Sequence, residues 1–292
     1  MSFRALVLEA ILRRVISSTP SNVDDEVARR RREGVPAPAE IPAAVRKRWR
    51  IERTVVDGSP VVTLRRARPA VRSLIFLAGG GYAHPITASH WSAAARFAER
   101  AGVDVVVPLY EVAPAGDVHR AHALVAEVLA AEIAARGPGA VFLSGDSAGG
   151  GLALSVLQRH PEGVAGAVLL NPWVDVEMSH PASHEMEHGD VILRVDELRQ
   201  WGRAWAADTS TADPLVSPLN GPFDDLPPVH IVTGGRDLLL PDALETYRRL
   251  RAAGNAGTLT YEPDGNHAVG LMGTATPESS RALRAVVAAL RA

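Results

Sequence analysis

Cysteine is absent from this chain of 292 residues. That excludes disulfides, thiolate nucleophiles and Cys-ligated zinc or iron–sulfur centres, and it fits a reducing, cytoplasmic setting. No apolar run approaches the roughly 20 residues needed to cross a bilayer, so stable membrane insertion is not expected. The opening stretch MSFRALVLEAILRRVIS does not read as a signal peptide, because Glu9 breaks its apolar run and Arg13 and Arg14 follow at once. Its apolar positions 3, 6, 7, 10, 11 and 15 have helical spacing instead, which predicts an amphipathic helix packed on the protein. Neither a G-x-G-x-x-G after a strand nor a P-loop lysine occurs, and this argues against a nucleotide-binding protein. Internal repeats and low-complexity segments are missing as well.

What is present is ordinary for a folded domain: 47% hydrophobic residues, 22% charged residues and a net charge of −2. The charge is unevenly spread. Residues 1–72 hold 16 Lys+Arg against 8 Asp+Glu, including Arg29–Arg32 and the run RKRWR at 46–50. No nucleic-acid-binding motif accompanies these runs, so they read as a solvated helical face, not as a site for nucleic acid.

From about residue 53, short β-rich runs alternate with helical ones. TVVDG and VVTLRR read as two outer strands. The segments at 73–79, 103–110, 140–145, 164–170, 229–235 and 257–263 read as central strands, rich in Val, Leu and Ile with little alternation, as strands buried on both faces are. Helical segments fall at about 88–101, 118–136, 149–160, 242–253 and 277–291. This order predicts an α/β fold: a mostly parallel sheet of about eight strands with helices on both faces. Two regions break the rhythm, the helical N-terminus (1–50) and the stretch 175–225, whose VDELRQWGRAWAAD reads as a helix. Both are expected to cover one end of the sheet.

At 142–151 the chain reads FLSGDSAGGG. Gly145-Asp146-Ser147-Ala148-Gly149 is the G-x-S-x-G pattern of a nucleophile elbow, placed where a strand ends and a helix begins. Such a turn needs small neighbours and lifts the serine hydroxyl above the sheet, while the N–H of Ala148 at the helix start faces a developing oxyanion. A serine nucleophile needs a base, and the base needs an orienting acid. Asp237 follows the strand at 229–235, and His267 follows the strand at 257–263, so the order is serine, acid, histidine along one sheet edge. Asp242 is the better-placed cap for the helix at 242–253, and Asp264, beside Gly265, reads as a turn residue.

With these residues in hand, the chain resembles the hormone-sensitive-lipase-like carboxylesterases of the α/β-hydrolase fold. The resemblance covers roughly residues 70–290. It rests on GDSAGG, YEVAP (110–114), NPWVD (171–175), DPLVSPL (213–219) and LPPVHIVTGGRD (226–237). It implies a triad of Ser147, Asp237 and His267, with backbone N–H donors from Gly80, Gly81 and Ala148. It also implies a catalytic domain at 51–174 and 213–292, with a cap built from residues 1–50 and an insertion at 175–212. The reaction it implies is hydrolysis of short- to medium-chain carboxylic esters without a metal or organic cofactor, the partner being a small-molecule ester; a homodimer is compatible with it.

One departure stands out. The family's H-G-G-G reads Ala78-Gly79-Gly80-Gly81 here, followed by Tyr82. The donors survive, but the histidine that supports the loop is missing, and His84 is the candidate to replace it. Tyr82 and Trp173 are candidates for pocket walls. Two other readings compete: an inactive binding protein on the same fold, and a zinc hydrolase built on His184 and His188 of HEMEH (184–188). For the second, Pro181 and Gly189 crowd the motif, and Glu197 is not at an expected spacing for a third ligand.

Overall fold

Eight strands form one sheet in the order β1-β2-β4-β3-β5-β6-β7-β8. The computed structural model describes residues 2–6, 22–68 and 70–292. Most of the expected N-terminal amphipathic helix therefore lies outside the described residues. Within that range, Ser2 donates from its backbone N–H and its hydroxyl to the Glu278 carboxylate, at 3.0 and 2.9 Å.

The strands are β1 (Arg50–Val56), β2 (Ser59–Arg65), β3 (Ser73–Leu77), β4 (Asp104–Pro108), β5 (Val141–Asp146), β6 (Val164–Leu170), β7 (Val229–Arg236) and β8 (Leu259–Asn266). β1 and β2 make an antiparallel hairpin with Val56 opposite Ser59. Its turn, Asp57-Gly58, takes positive φ at both positions (45° and 76°), the backbone hand that suits a two-residue hairpin turn. β2 also runs antiparallel to β4, and all other pairings are parallel. The eight strands and their mixed layers agree with the expected fold.

Among the described residues the α-helices that cover this sheet are α1 (Val23–Glu33), α2 (Ala43–Arg46), α3 (Ala88–Ala101), α4 (Val118–Arg136), α5 (Ala148–Arg159), α6 (Pro181–Met186), α7 (Val195–Ala206), α8 (Leu240–Ala252) and α9 (Pro277–Arg291). Side chains of β3 alternate between two cores. Ile75 and Leu77 belong to the core that α4, α5 and α8 also help fill, whereas Leu74 and Phe76 belong to the core on the other face, which α3 and α9 help fill. Each large aliphatic side chain buried this way contributes roughly 1.5–3 kcal/mol. Because both faces are covered, β3, β4 and β5 are buried along their whole length. Among the described residues, no helix is long and apolar enough to cross a membrane.

Two features of this topology position the site. The strand order reverses between β3 and β5, so the loops that leave them diverge and open a crevice at the carboxyl edge. Further along, β7 and β8 pair with a register shift: Gly234 faces Glu262, yet Arg236 faces Asn266. β8 thus takes up extra residues at Pro263–Gly265, which makes Asp237 and His267 neighbours just beyond the last pair. Asp264 lies within β8 and not in a free turn. Asp242 is not a cap: α8 starts at Leu240, and Asp242 is a buried residue of its first turn.

Candidate active site

The turn after β5 is built around a strained serine. Ser147 has φ 53° and ψ −122°, a conformation that L-residues rarely adopt, and it caps the N-terminus of α5. Its backbone is pinned from both sides. The Ser147 N–H donates to Leu170 O at 2.9 Å, and its carbonyl accepts from Gly151 N at 3.0 Å and Trp173 N at 2.9 Å. Small residues are required here: a Cβ on Gly149 would sit 2.1 Å from the carbonyl oxygen of Leu77. Ala148 is the first residue of α5, where an amide has no acceptor within its own helix.

Beside this turn, the loop after β3 carries the three glycines. Gly80 and Gly81 both have positive φ (133° and 61°), and Ala83 N and His84 N close the turn on Gly80 O at 3.0 and 2.8 Å. The support of the loop differs from the expectation. His84 takes part through its backbone, while its ring lies edge-on to Trp201 with centroids 6.5 Å apart. Asp146 and Tyr110 hold the loop instead. Gly79 N donates to Asp146 Oδ1 at 3.0 Å, and the Tyr110 hydroxyl donates to Ala78 O. Gly79 has to be glycine, since a Cβ there would lie 2.4 Å from Asp146 Oδ2. That second oxygen faces His90 Nε2 at 3.2 Å. His90 Nδ1 receives the N–H of Thr87 at 3.0 Å, so Nε2 carries the proton and donates to Asp146.

At the far end of the edge, His267 Nδ1 lies 3.0 Å from Asp237 Oδ2. A carboxylate only accepts, so Nδ1 bears the proton and Nε2 of the neutral ring is left as an acceptor. Asp237 is fully buried and further satisfied: Asn171 Nδ2 donates to its Oδ2 at 2.6 Å and Leu239 N to its Oδ1 at 3.0 Å. Burial draws the His267 imidazole down, but the charges of Asp237, Asp190 and Asp146 outweigh it and lift the ring to about 8.

Ser147, His267, Gly80 and Gly81 line one cavity of about 310 Å³. Its walls come from the segment around α7, with Leu193, Leu198 and Trp201, and from Leu271 beyond β8. Glu197 also lines it, and burial raises its carboxyl above the ordinary value. Tyr82 and Trp173, expected as pocket walls, lie underneath. Tyr82 stacks on Trp205 with centroids 4.3 Å apart and meets Trp173 at 5.3 Å, and all three rings are buried. Tyr82 has φ 56°, so the backbone turn that follows the glycines takes its ring into the core. Helix α1 reaches the same region: Arg30 donates to Ala83 O and covers the Trp201 ring at 4.7 Å.

The HEMEH motif does not present two histidines on one helical face. α6 ends at Met186, His184 Nε2 lies 3.1 Å from Met178 O, and His188 follows the helix end. Among the described residues, no group of three or more His, Asp or Glu side chains is arranged to hold a metal ion.

Asn171, Asp146 and Asp190 support this site through hydrogen bonds to Asp237, Gly79 and Leu238, roles that no motif in the sequence marks. Asp146 and Asn171 stand inside two of the blocks that carried the resemblance. The available signal was their position beside Ser147 and at the end of β6.

A model of the α/β-hydrolase fold matches residues 74–271, and the chain belongs to that family. It is 30% identical over 236 residues to an acetyl-hydrolase of Streptomyces hygroscopicus, covering 78% of each chain. It is 32% identical over 200 residues to a triacylglycerol lipase of Mycobacterium tuberculosis, covering 66% of this chain and only 41% of the lipase. A solved esterase of the bacterial hormone-sensitive lipase family superposes with a TM-score of 0.81 at 24% identity, covering 100% of this chain and 98% of that one; this likeness carries the fold. Within the family, the chain is a carboxylesterase-like hydrolase.

Proposed function

We propose that this protein hydrolyses short- to medium-chain carboxylic esters through an acyl-enzyme on Ser147. The observation that carries the reading is the His267–Asp237 pair, 3.0 Å apart, facing the cavity that Ser147, Gly80 and Gly81 also line. In this reading His267 Nε2 takes the proton from the Ser147 hydroxyl as its oxygen attacks the ester carbonyl. Asp237 fixes the ring tautomer and stabilises the imidazolium. The tetrahedral oxyanion is met by the N–H groups of Gly80, Gly81 and Ala148, each worth on the order of a hundred- to a thousand-fold in rate. His267 then gives its proton to the departing alcohol, and water repeats the sequence on the acyl-enzyme.

The cavity supports the chain-length assignment. At about 310 Å³ it stands at the small end of ligand pockets, which run from roughly 300 to 1,000 Å³. Ile192, Leu193, Leu198, Trp201 and Leu271 give it an apolar stretch of wall that suits a short acyl chain, and a short acyl group also agrees with the acetyl-hydrolase among its relatives. A series of p-nitrophenyl esters from acetate to laurate tests this. The expected kcat/KM peaks at the short end and falls steeply at the long end; absence of turnover across the series contradicts the reading.

A further inference from the structure

A second buried carboxylate stands behind the acid–base pair. Asp190 is 2% exposed and belongs to the segment that walls the cavity, but does not itself line it. Its Oδ1 accepts from Ile192 N at 2.7 Å and Leu193 N at 2.9 Å, shaping the turn that puts both residues on the cavity wall. Its Oδ2 accepts from Leu238 N at 3.0 Å, the residue next to Asp237. One side chain therefore ties the wall of the cavity to the loop that carries the acid.

We infer that Asp190 is a positioning residue for the Asp237–His267 pair, holding the acid loop against the cavity wall and adding a second negative charge behind the imidazole. The inference rests on the proposed roles of Asp237 and His267. The charged groups facing His267 are Asp237, Asp190 and Asp146. Those around Asp190 are Asp237 and His267, together with Arg194, whose Nη1 donates to the Asp190 main-chain carbonyl at 3.0 Å. Burial and the Asp237 charge push the Asp190 carboxyl up, while His267 and the N–H groups of Leu193 and Leu238 pull it back toward the charged form.

The isosteric substitution Asp190→Asn separates the two roles from simple packing. An amide keeps an oxygen for Ile192 and Leu193 but sets an N–H group against the N–H of Leu238, and it removes the charge. The readouts are the His267 imidazole titration by NMR and the pH profile of kcat/KM on p-nitrophenyl acetate. The wild-type midpoint is expected near 8. In Asp190→Asn it falls by on the order of one pH unit, as removal of a nearby opposite charge demands. The limiting kcat drops roughly ten-fold or more, because the acid loop is no longer pinned. Asp190→Glu keeps the charge, so its midpoint stays at the wild-type value while kcat falls. A wild-type midpoint in Asp190→Asn, or an equal shift in both variants, overturns the inference. Should Asp190→Asn fail to fold, the wild-type protein decides: the Asp190 side-chain ¹³C signal inflects at the His267 midpoint if the two are coupled, and its indifference overturns the inference. The NMR arms need no turnover. A protein inert toward esters would sink the functional reading and leave the Asp190 test intact.

Discussion

The two halves of the site are built on one device but bind different things with it. In the β3–β5 half, Asp146 accepts the Gly79 N–H and so holds a glycine loop that has no side chains of its own to anchor it. In the β7–β8 half, strand register sets Asp237 beside His267, and Asn171, Leu239 and Asp190 fix the loop through hydrogen bonds. In the proposed mechanism the first half orients backbone donors toward a substrate and the second orients a side-chain base. Failure of the first should therefore weaken stabilisation of a charge, whereas failure of the second should abolish its formation.

Substitutions can break each half in turn. Asp237→Asn removes the acceptor that holds His267 Nδ1–H, favours the wrong tautomer and is expected to lower kcat by about 10⁴-fold with little change in fold. Stopped assays on p-nitrophenyl acetate, with circular dichroism as control, measure it. Asp146→Ala leaves the buried Gly79 N–H without its partner, which costs roughly 1–3 kcal/mol of stability. It should lower kcat about a hundred-fold by loosening the donors at Gly80 and Gly81, with the His267 midpoint moving down only slightly. If Asp237→Asn proved the milder of the two, the division of labour between the halves would be wrong.

The smallest effect concerns the missing histidine. Ala78 is 5% exposed and packs among Ile86, Trp91 and other residues of the α3–α9 core. Ala78→His is expected to give no rate gain, because Asp146 and Tyr110 already hold the loop, and to destabilise by about 1–3 kcal/mol through overpacking. Thermal melting and kcat/KM on the same ester check both parts. A clear rate gain would mean the β3–β5 half is under-supported.

The β7–β8 half was the more legible one in the sequence. Asp237 follows a run of Val and Ile that reads as a buried strand. His267 follows a Thr- and Leu-containing run expected as another central, doubly buried strand, but β8 is the edge of the sheet and is buried only at Glu262 and Gly265, so its side chains are partly left to solvent. The parallel order still sends both residues to the same edge. Ser147 was legible for the same reason, with its glycines as a local mark. The supports were not. Asn171 meets Asp237 only because β6 and β7 pair with Leu170 opposite Val232, and a sequence does not print its register. Asp190 reaches Leu238 across 48 residues from a polar segment without periodicity. Tyr82 shows the converse error: its place after three glycines suggested the pocket, but a positive φ carries the ring into the core beside Trp205. A histidine two residues further on invited the role of loop support, while the carboxylate next to the serine fills it.

Mass spectrometry of the protein after treatment with a fluorescent organophosphonate ester shows directly whether Ser147 is the nucleophile. The expected result is one equivalent of label on the peptide that carries Ser147, loss of esterase activity in parallel, and much slower labelling in His267→Ala. Ester turnover that survives in Ser147→Ala, or label that settles on another residue while activity disappears, would contradict it.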